Sequence, residues 1–384
     1  MNHRRASRRV RLAAACGLGL ALLNGCAGGG TAPGTASGTA LAGATLAATA
    51  KQPPPPAAEA SGPACTLPDP NAGTVATSLE AGGGWLTLPT YDGSNQSTHI
   101  NVQFDPEGRF GHPFWMTLTP YPYQDASKEN PSILVSDNGL DWAEPAGLTN
   151  PVSGVPDDVN RKGHYSDGYL LPRPDGFELW FRYNPARAGE TRADNSTNII
   201  YRMNSPDGVT WSEKEVIFDG GIPNYMSPSL IAEGEKYRLW YSNYGGELVY
   251  SEATGPDFLS WSDPQAVTVE MGQGYVPWHQ EIRPTDSGYE ALLVGYRTDP
   301  ASQKSSFALF YAQSTDGLNF GQAHQIDPAK VDLRLAGHQL YKSSLVQHCG
   351  SYLLYLSTIT PEGAWLPFYK QVGVDELSQL FMSE

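Results

Sequence analysis

Apolar and polar residues alternate at a period of two through most of the chain, and Gly, Pro, Asn and Asp interrupt the alternation every few residues. Continuous helical periodicity is absent, apart from a short terminal helical turn predicted at 375–382. Aromatic-rich strands are predicted at 113–118, 177–183, 237–243, 289–296 and 352–358, and a further strand follows each, at 132–135, 198–203, 248–251, 308–312 and 366–371. Four of these units end on a related phrase: S-D-N-G-L-D-W at 136–142, S-P-D-G-V-T-W at 205–211, T-G-P-D-F-L-S-W at 254–261 and S-T-D-G-L-N-F at 314–320. Self-similarity at roughly 50 to 70 residues marks a propeller, in which no single blade can bury both of its faces. The phrase counts four blades and the strands count five. The expectation is an all-β, five-bladed β-propeller of four-stranded antiparallel blades over 65–384, with 85–88 as an extra strand that closes the ring.

The repeated phrase holds turns. Asp or Asn before Gly suits a tight reversal, and the aromatic that follows suits the seam between blades. It resembles the Asp-box of sialidases, with one residue fewer between Asp and Gly. A sialidase also needs an arginine cluster on the inner strands, and the aligned positions carry none.

The first 25 residues read as a signal peptide: Arg4, Arg5, Arg8, Arg9 and Arg11 precede an apolar run at 12–23 that is short for a membrane span. Leu23-Asn24-Gly25-Cys26 resembles a bacterial lipobox, which implies lipidation at Cys26. Ala27 in place of Asp implies sorting to the outer membrane of a two-membrane cell envelope. Residues 26–64 are Gly, Ala, Thr, Ser and Pro, a tether with a stiff spot at Pro53 to Pro56. Loss of a signal with five arginines and no acid moves the formal charge from −15 to −20. So acidic a chain is a poor match for nucleic acid or for anionic lipid, which leaves the Cys26 anchor as the expected route to a membrane. Cys65 and Cys349 either pair in an oxidising compartment or remain two thiols.

Inner strands line a propeller's axis, and alternate residues face it. Aligning the five inner strands gives five pairs: His99 and Asn101, Asp167 and Tyr169, Ser227 and Ser229, His279 and Glu281, Lys342 and Ser344. All ten of these residues carry a charged, hydroxyl, amide or imidazole group, where an idle core would be mostly Val, Ile and Ala. Loops on the same face add Tyr121, Tyr123, Glu129, Asn130, Asn184, Arg187, Asn243 and Arg297, and Trp278 precedes His279. Rings beside amides and carboxylates suit a carbohydrate, whose C–H face stacks while its hydroxyls hydrogen-bond.

A five-bladed propeller with polar inner-strand starts resembles glycoside hydrolase families 43 and 32, the furanosidase-like group, over about 90–375. A closer resemblance is to bacterial propeller lipoproteins that carry Thr119-Pro120-Tyr121-Pro122, Glu129-Asn130-Pro131-Ser132 and Trp278-His279-x-Glu281, and it implies fold and site position and no particular substrate. The glycosidase families imply an aspartate on the blade-one inner strand and a general acid on blade three. This chain has Asn101, Ser227 and Ser229 there, and asparagine takes no proton at neutral pH.

The channel carboxylates that remain are Asp167 and Glu281. They predict inverting hydrolysis, with Glu281 as general acid and Asp167 activating water across a gap of about 6.5–9.5 Å. His99, Asn101, Tyr169, Ser227, Trp278, His279, Lys342, Glu129, Asn130 and Arg297 are the expected substrate contacts. A glycan-binding or scaffold propeller with a decayed site is the alternative. No cofactor is expected. His99, His164 and His279 lack the close spacing of a metal site, and no Gly-x-Ser-x-Gly elbow or phosphate loop occurs.

Overall fold

Strands form where the alternation places them. The computed structural model describes residues 82–191, 198–219, 226–243, 245–254, 260–302 and 304–383, all within the unit spanning 61–384. The signal, the tether, Cys26 and Cys65 lie outside the described residues. Cys349 is disulfide-bonded.

Five antiparallel sheets surround a central axis. Blade one is Ser97–Phe104, Phe114–Pro120 and Ser132–Ser136. Blade two is His164–Arg173, Gly176–Asn184, Ile199–Ser205 and Glu215–Asp219. Blade three is Met226–Glu233, Lys236–Ser242, Leu248–Thr254 and Gln265–Glu270, and blade four is Val276–Thr285, Gly288–Thr298, Ser305–Ser314 and His324–Gln325. In blade five the inner strand is split into Gln339–Leu340 and Ser344–His348, ahead of Ser351–Ile359 and Trp365–Gly373.

The strand expected at 85–88 is Gly83–Trp85, and it pairs antiparallel with Trp365–Gly373, so the N-terminal end of the propeller completes its last blade. Four strands per blade is not uniform. Blade one has three, supplemented by a single bridge between Val135 and Ala143, and blade three gains a parallel outer partner, Asn319–Gln322. A 3-10 helix, Val374–Leu380, ends the fold where the helical turn was expected.

The turns act as staples between blades. In blade two, Asp207 Oδ1 accepts from the backbone of Val209 and Thr210 at 2.9 and 2.7 Å, while Ser205 Oγ accepts from Gly208 N at 2.7 Å. Gly208 has φ +77°, and a Cβ there would meet the Trp115 ring of blade one at 2.2 Å. Gly317 repeats this against Trp240 of blade three, whose indole N–H donates to Gly317 O at 2.8 Å. Gly139 lies against Tyr355 of blade five. Trp115, Trp240 and Tyr355 are fully buried, so each turn seals the aromatic of the preceding blade.

A second device runs around the axis, built from the second member of each inner-strand pair. Asn101 Oδ1 accepts from Leu170 N at 3.0 Å, Tyr169 Oη donates to Leu230 O at 2.9 Å, and Ser229 Oγ accepts from Ile282 N at 2.8 Å. Ser344 Oγ donates to Glu281 Oε1 at 2.9 Å and accepts from Val102 N at 2.8 Å. The bonds run from blade one through two, three, four and five and back to one, a closed girdle of buried polar side chains.

Candidate functional site

The first member of each pair sits at an irregularity in its strand. The register between first and second strands shifts between Thr98 and Asn101, Ser166 and Tyr169, and Pro277 and His279, and blade five breaks at 341–343. His99, Asp167 and Ser227 take left-handed backbone, with φ +54°, +56° and +54°. Each such residue costs roughly 1–3 kcal/mol. In return the bulge turns the side chain off the strand's alternation and towards the axis.

Three of these side chains converge. One donor atom each from His99, Asp167 and His279 lies within 4.8 Å of the others, and all three residues are buried. His99 Nε2 is 3.1 Å and His279 Nδ1 3.5 Å from Asp167 Oδ1. Each imidazole is fixed through its other nitrogen: His99 Nδ1 by Thr119 Oγ1 at 2.8 Å, and His279 Nε2 by Tyr341 Oη at 2.6 Å. Such outer partners orient metal-ligating histidines. Among the described residues Asp167 Oδ1 and His279 Nδ1 make no hydrogen bond, so they are orphaned polar atoms within one cluster. Asp167 Oδ2, in contrast, is held by Arg182 Nε at 2.8 Å and Ser227 N at 3.2 Å.

The charge states suit ligation. Burial works to raise the Asp167 carboxyl, but the Arg182 guanidinium leads the neighbouring charges that outweigh it and hold the group far below the usual carboxylate range, as an anion. Burial pulls His99 down to about 3 and His279 well below its ordinary value, so both are neutral with a lone pair to offer. Two neutral imidazoles and a carboxylate form a set suited to zinc or another divalent first-row metal.

Two members of the cluster, His99 and His279, line a cavity of about 270 Å³ together with Tyr121, Glu129, His164, Arg182, Asn184, Trp278 and Tyr341. Glu129 Oε2 lies 3.7 Å from His99 Nδ1. Burial, and then the Asp167 charge, raise the Glu129 carboxyl well above its ordinary value. His164 is neutral and doubly engaged: its Nδ1 donates to Lys162 O at 3.0 Å and its Nε2 accepts from Asn184 at 2.9 Å. Burial holds it at about 4. Trp278 donates its indole N–H to Tyr341 Oη at 2.9 Å and packs at 32° to the Tyr296 ring, centroids 5.0 Å apart.

The residues predicted for the site separate into layers. His99, Asp167 and His279 form the cluster, and Glu129 and Trp278 line the cavity above it. Asn101, Tyr169 and Glu281 belong to the girdle, one step further along their strands, so Asp167 and Glu281 are not side by side in one cavity wall. Burial nevertheless raises Glu281 to about 7. Ser227 supports Asp167 through its backbone. Lys342 is fully buried, its Nζ has no hydrogen-bond partner among the described residues, and burial lowers it to about 8.

Asn130 ties down the blade-one loop through Tyr91 Oη and Ser127 O, at 2.9 and 3.3 Å. Arg297 lies 4.5 Å from the Tyr275 ring centroid and does not line the cavity. Arg182 and Tyr341 escape inner-strand alignment because one is on a second strand and the other in a break. The available signals were an arginine inside the apolar run F-E-L-W-F-R-Y and a tyrosine beside Lys342. A larger hollow of about 450 Å³, between Arg173, Glu178, Arg202 and Tyr237, lies at the other end of blade two, at its hairpin.

Known proteins resemble this chain at modest identity. An A type blood N-acetyl-alpha-D-galactosamine deacetylase of Flavonifractor plautii is 24% identical over 330 residues, 72% of this chain and 41% of that protein. The chain therefore spans about two fifths of the length of that curated relative. A crystal structure of an N-acetylgalactosamine deacetylase from F. plautii, in complex with blood group B trisaccharide, aligns with a TM-score of 0.63 at 18% identity, over 79% of this chain and 97% of that one. A Penicillium chrysogenum alpha-L-arabinanase complexed with arabinobiose aligns at 0.49 and 14% identity, over 77% of this chain and 98% of that one. No family model matches the chain. The likeness is one of fold, a five-bladed propeller.

Proposed function

We propose that the protein is a carbohydrate-acting hydrolase that removes an acyl group from an amino sugar at the channel mouth, with a divalent cation held by His99, Asp167 and His279. The observation that carries this reading is the convergence of those three donors beside the buried carboxyl of Glu129. Bound there, a divalent cation supplies Lewis-acid polarisation of a carbonyl oxygen or of water. Glu129 takes the proton of the attacking water and returns it to the leaving amine, which keeps the proton count level. Arg182 keeps Asp167 anionic, and an aspartate held so acidic is a ligand and not a base. Trp278 and Tyr121 offer ring faces to the sugar. The F. plautii relative supports an N-acetylated hexosamine as the substrate class.

Glycosidic hydrolysis is the second reading, favoured by the raised Glu281 carboxyl. A panel of N-acetylhexosamine-containing oligosaccharides separates the two, because deacylation releases acetate and glycosidic hydrolysis releases reducing ends. Acetate release that chelation abolishes and that is lost in Asp167→Asn supports the first reading. New reducing ends, lost in Glu281→Gln, support the second. Binding without either product identifies a glycan-binding propeller.

The lipobox at Leu23 to Cys26 and the tether behind it support anchoring in the cell envelope, at the outer membrane, with the propeller held away from the bilayer. Palmitate labelling that is lost in Cys26→Ser is the expected outcome.

A further inference from the structure

Tyr341 stands in the break of the blade-five inner strand, and its hydroxyl has two polar neighbours among the described residues, Trp278 Nε1 at 2.9 Å and His279 Nε2 at 2.6 Å. An indole N–H only donates, so the Tyr341 oxygen accepts from Trp278. The His279 contact has two possible directions. With a proton on Nδ1, His279 accepts the Tyr341 proton at Nε2. With Nδ1 serving as a ligand atom, the ring carries its proton on Nε2 and donates to the tyrosine oxygen. That oxygen then accepts twice, and no protein acceptor among the described residues is left for the Tyr341 hydrogen. The residue lines the cavity, so the hydrogen points at whatever occupies it.

We infer that occupation of the His99–Asp167–His279 site by a divalent cation reverses the Tyr341–His279 hydrogen bond, and turns Tyr341 into a donor to the substrate oxygen that becomes negative during acyl transfer. The inference rests on the metal-dependent deacylation proposed above and adds a role for Tyr341, a residue that the sequence does not single out. In the exchange the Nδ1 proton leaves to water and an equal proton is taken from water at Nε2, so the imidazole stays neutral. No bond to tyrosine is made or broken. The hydroxyl is placed for the task because its two donors, Trp278 and His279, fix the oxygen from two sides.

The test has two arms. In the full chain labelled with ¹⁵N-histidine, with His279 assigned by His279→Asn, addition of Zn²⁺ is expected to give a ligated Nδ1 and a protonated Nε2, from a zinc-free state in which Nδ1 carries the proton. The same Nε2–H form with and without zinc overturns the reversal. In the second arm, Tyr341→Phe loaded with Zn²⁺ is expected to lose about 100-fold in kcat on an N-acetylhexosaminide, the scale of removing one oxyanion donor. Its KM and its zinc affinity by calorimetry stay within about threefold of the wild type. An unchanged kcat, or a kcat loss that follows zinc loss, overturns the donor role. Wild-type protein that binds no zinc, or releases no acetate from any sugar, sinks the deacylation reading itself. A wild type that does both, beside an unaffected Tyr341→Phe, sinks this inference alone.

Discussion

At the scale of single residues, environment sorts similar groups into different tasks. Asp167, Glu129 and Glu281 are all buried carboxyls near one axis, but Arg182 holds the first as an anion, while burial pushes the other two upward. Only Glu129 of the raised pair lines the cavity. Glu129→Gln is expected to lower kcat for acetate release by 100-fold or more, about the contribution of a positioned base, with cation affinity little changed. Steady-state kinetics and calorimetry check it.

Lys342 gives a prediction with a definite sign. Its folded-state value is lowered to about 8 from an ordinary 10.5, so the unfolded chain binds more protons between those values, and stability rises with pH across that window. Below pH 8 the full cost of burying the cation is present. Lys342→Met is expected to raise stability at pH 7 by up to about 3 kcal/mol and to flatten the rise between pH 8 and 10.5. Denaturation at a series of pH values reads both effects. Position 342 was legible in the sequence because alternation placed it on the axis. Its lack of a hydrogen-bond partner among the described residues was not, since that depends on how the blades close around it.

At the scale of elements, the chain marks its own joints. The aromatic strands and the strands after them lie within a few residues of where alternation predicts them, because one face of each must pack on the next blade. Turns were legible for the same local reason, and the contact each makes with the preceding blade was not. Gly208 illustrates it: φ +77° and a Cβ position 2.2 Å from Trp115 mean that Gly208→Ala strains the backbone and displaces a fully buried ring. A loss of about 2–4 kcal/mol in urea denaturation is expected. kcat should not change, because the turn lies outside the cavity. The bulges were invisible to alternation, which assumes an unbroken period of two, and it is at three of them that the site is made.

At the scale of the whole molecule, closure is achieved twice. Gly83–Trp85 completes the blade formed by the other end of the propeller, and the girdle links all five inner strands. Ser344 is the link at which blades four, five and one meet. Ser344→Ala leaves Val102 N–H and Glu281 Oε1 without their partner in a buried place, and is expected to cost about 2–3 kcal/mol. Loss of the same stability with retained acetate release separates the girdle from the chemistry above it. Undiminished stability sinks the girdle as a stabilising device.

The sequence by itself determined the repeat, the all-β class, the blade count and the ring of polar positions around the axis. Each of these is written in local periodicity, in turn chemistry, or in a pattern that recurs from blade to blade. Tertiary structure decided which polar positions act together. His99, Asp167 and His279 are 68 and 112 residues apart in the chain, too far for any spacing rule to connect. They meet because bulges on three blades turn them towards the same point, while their neighbours two residues on are spent holding blade to blade.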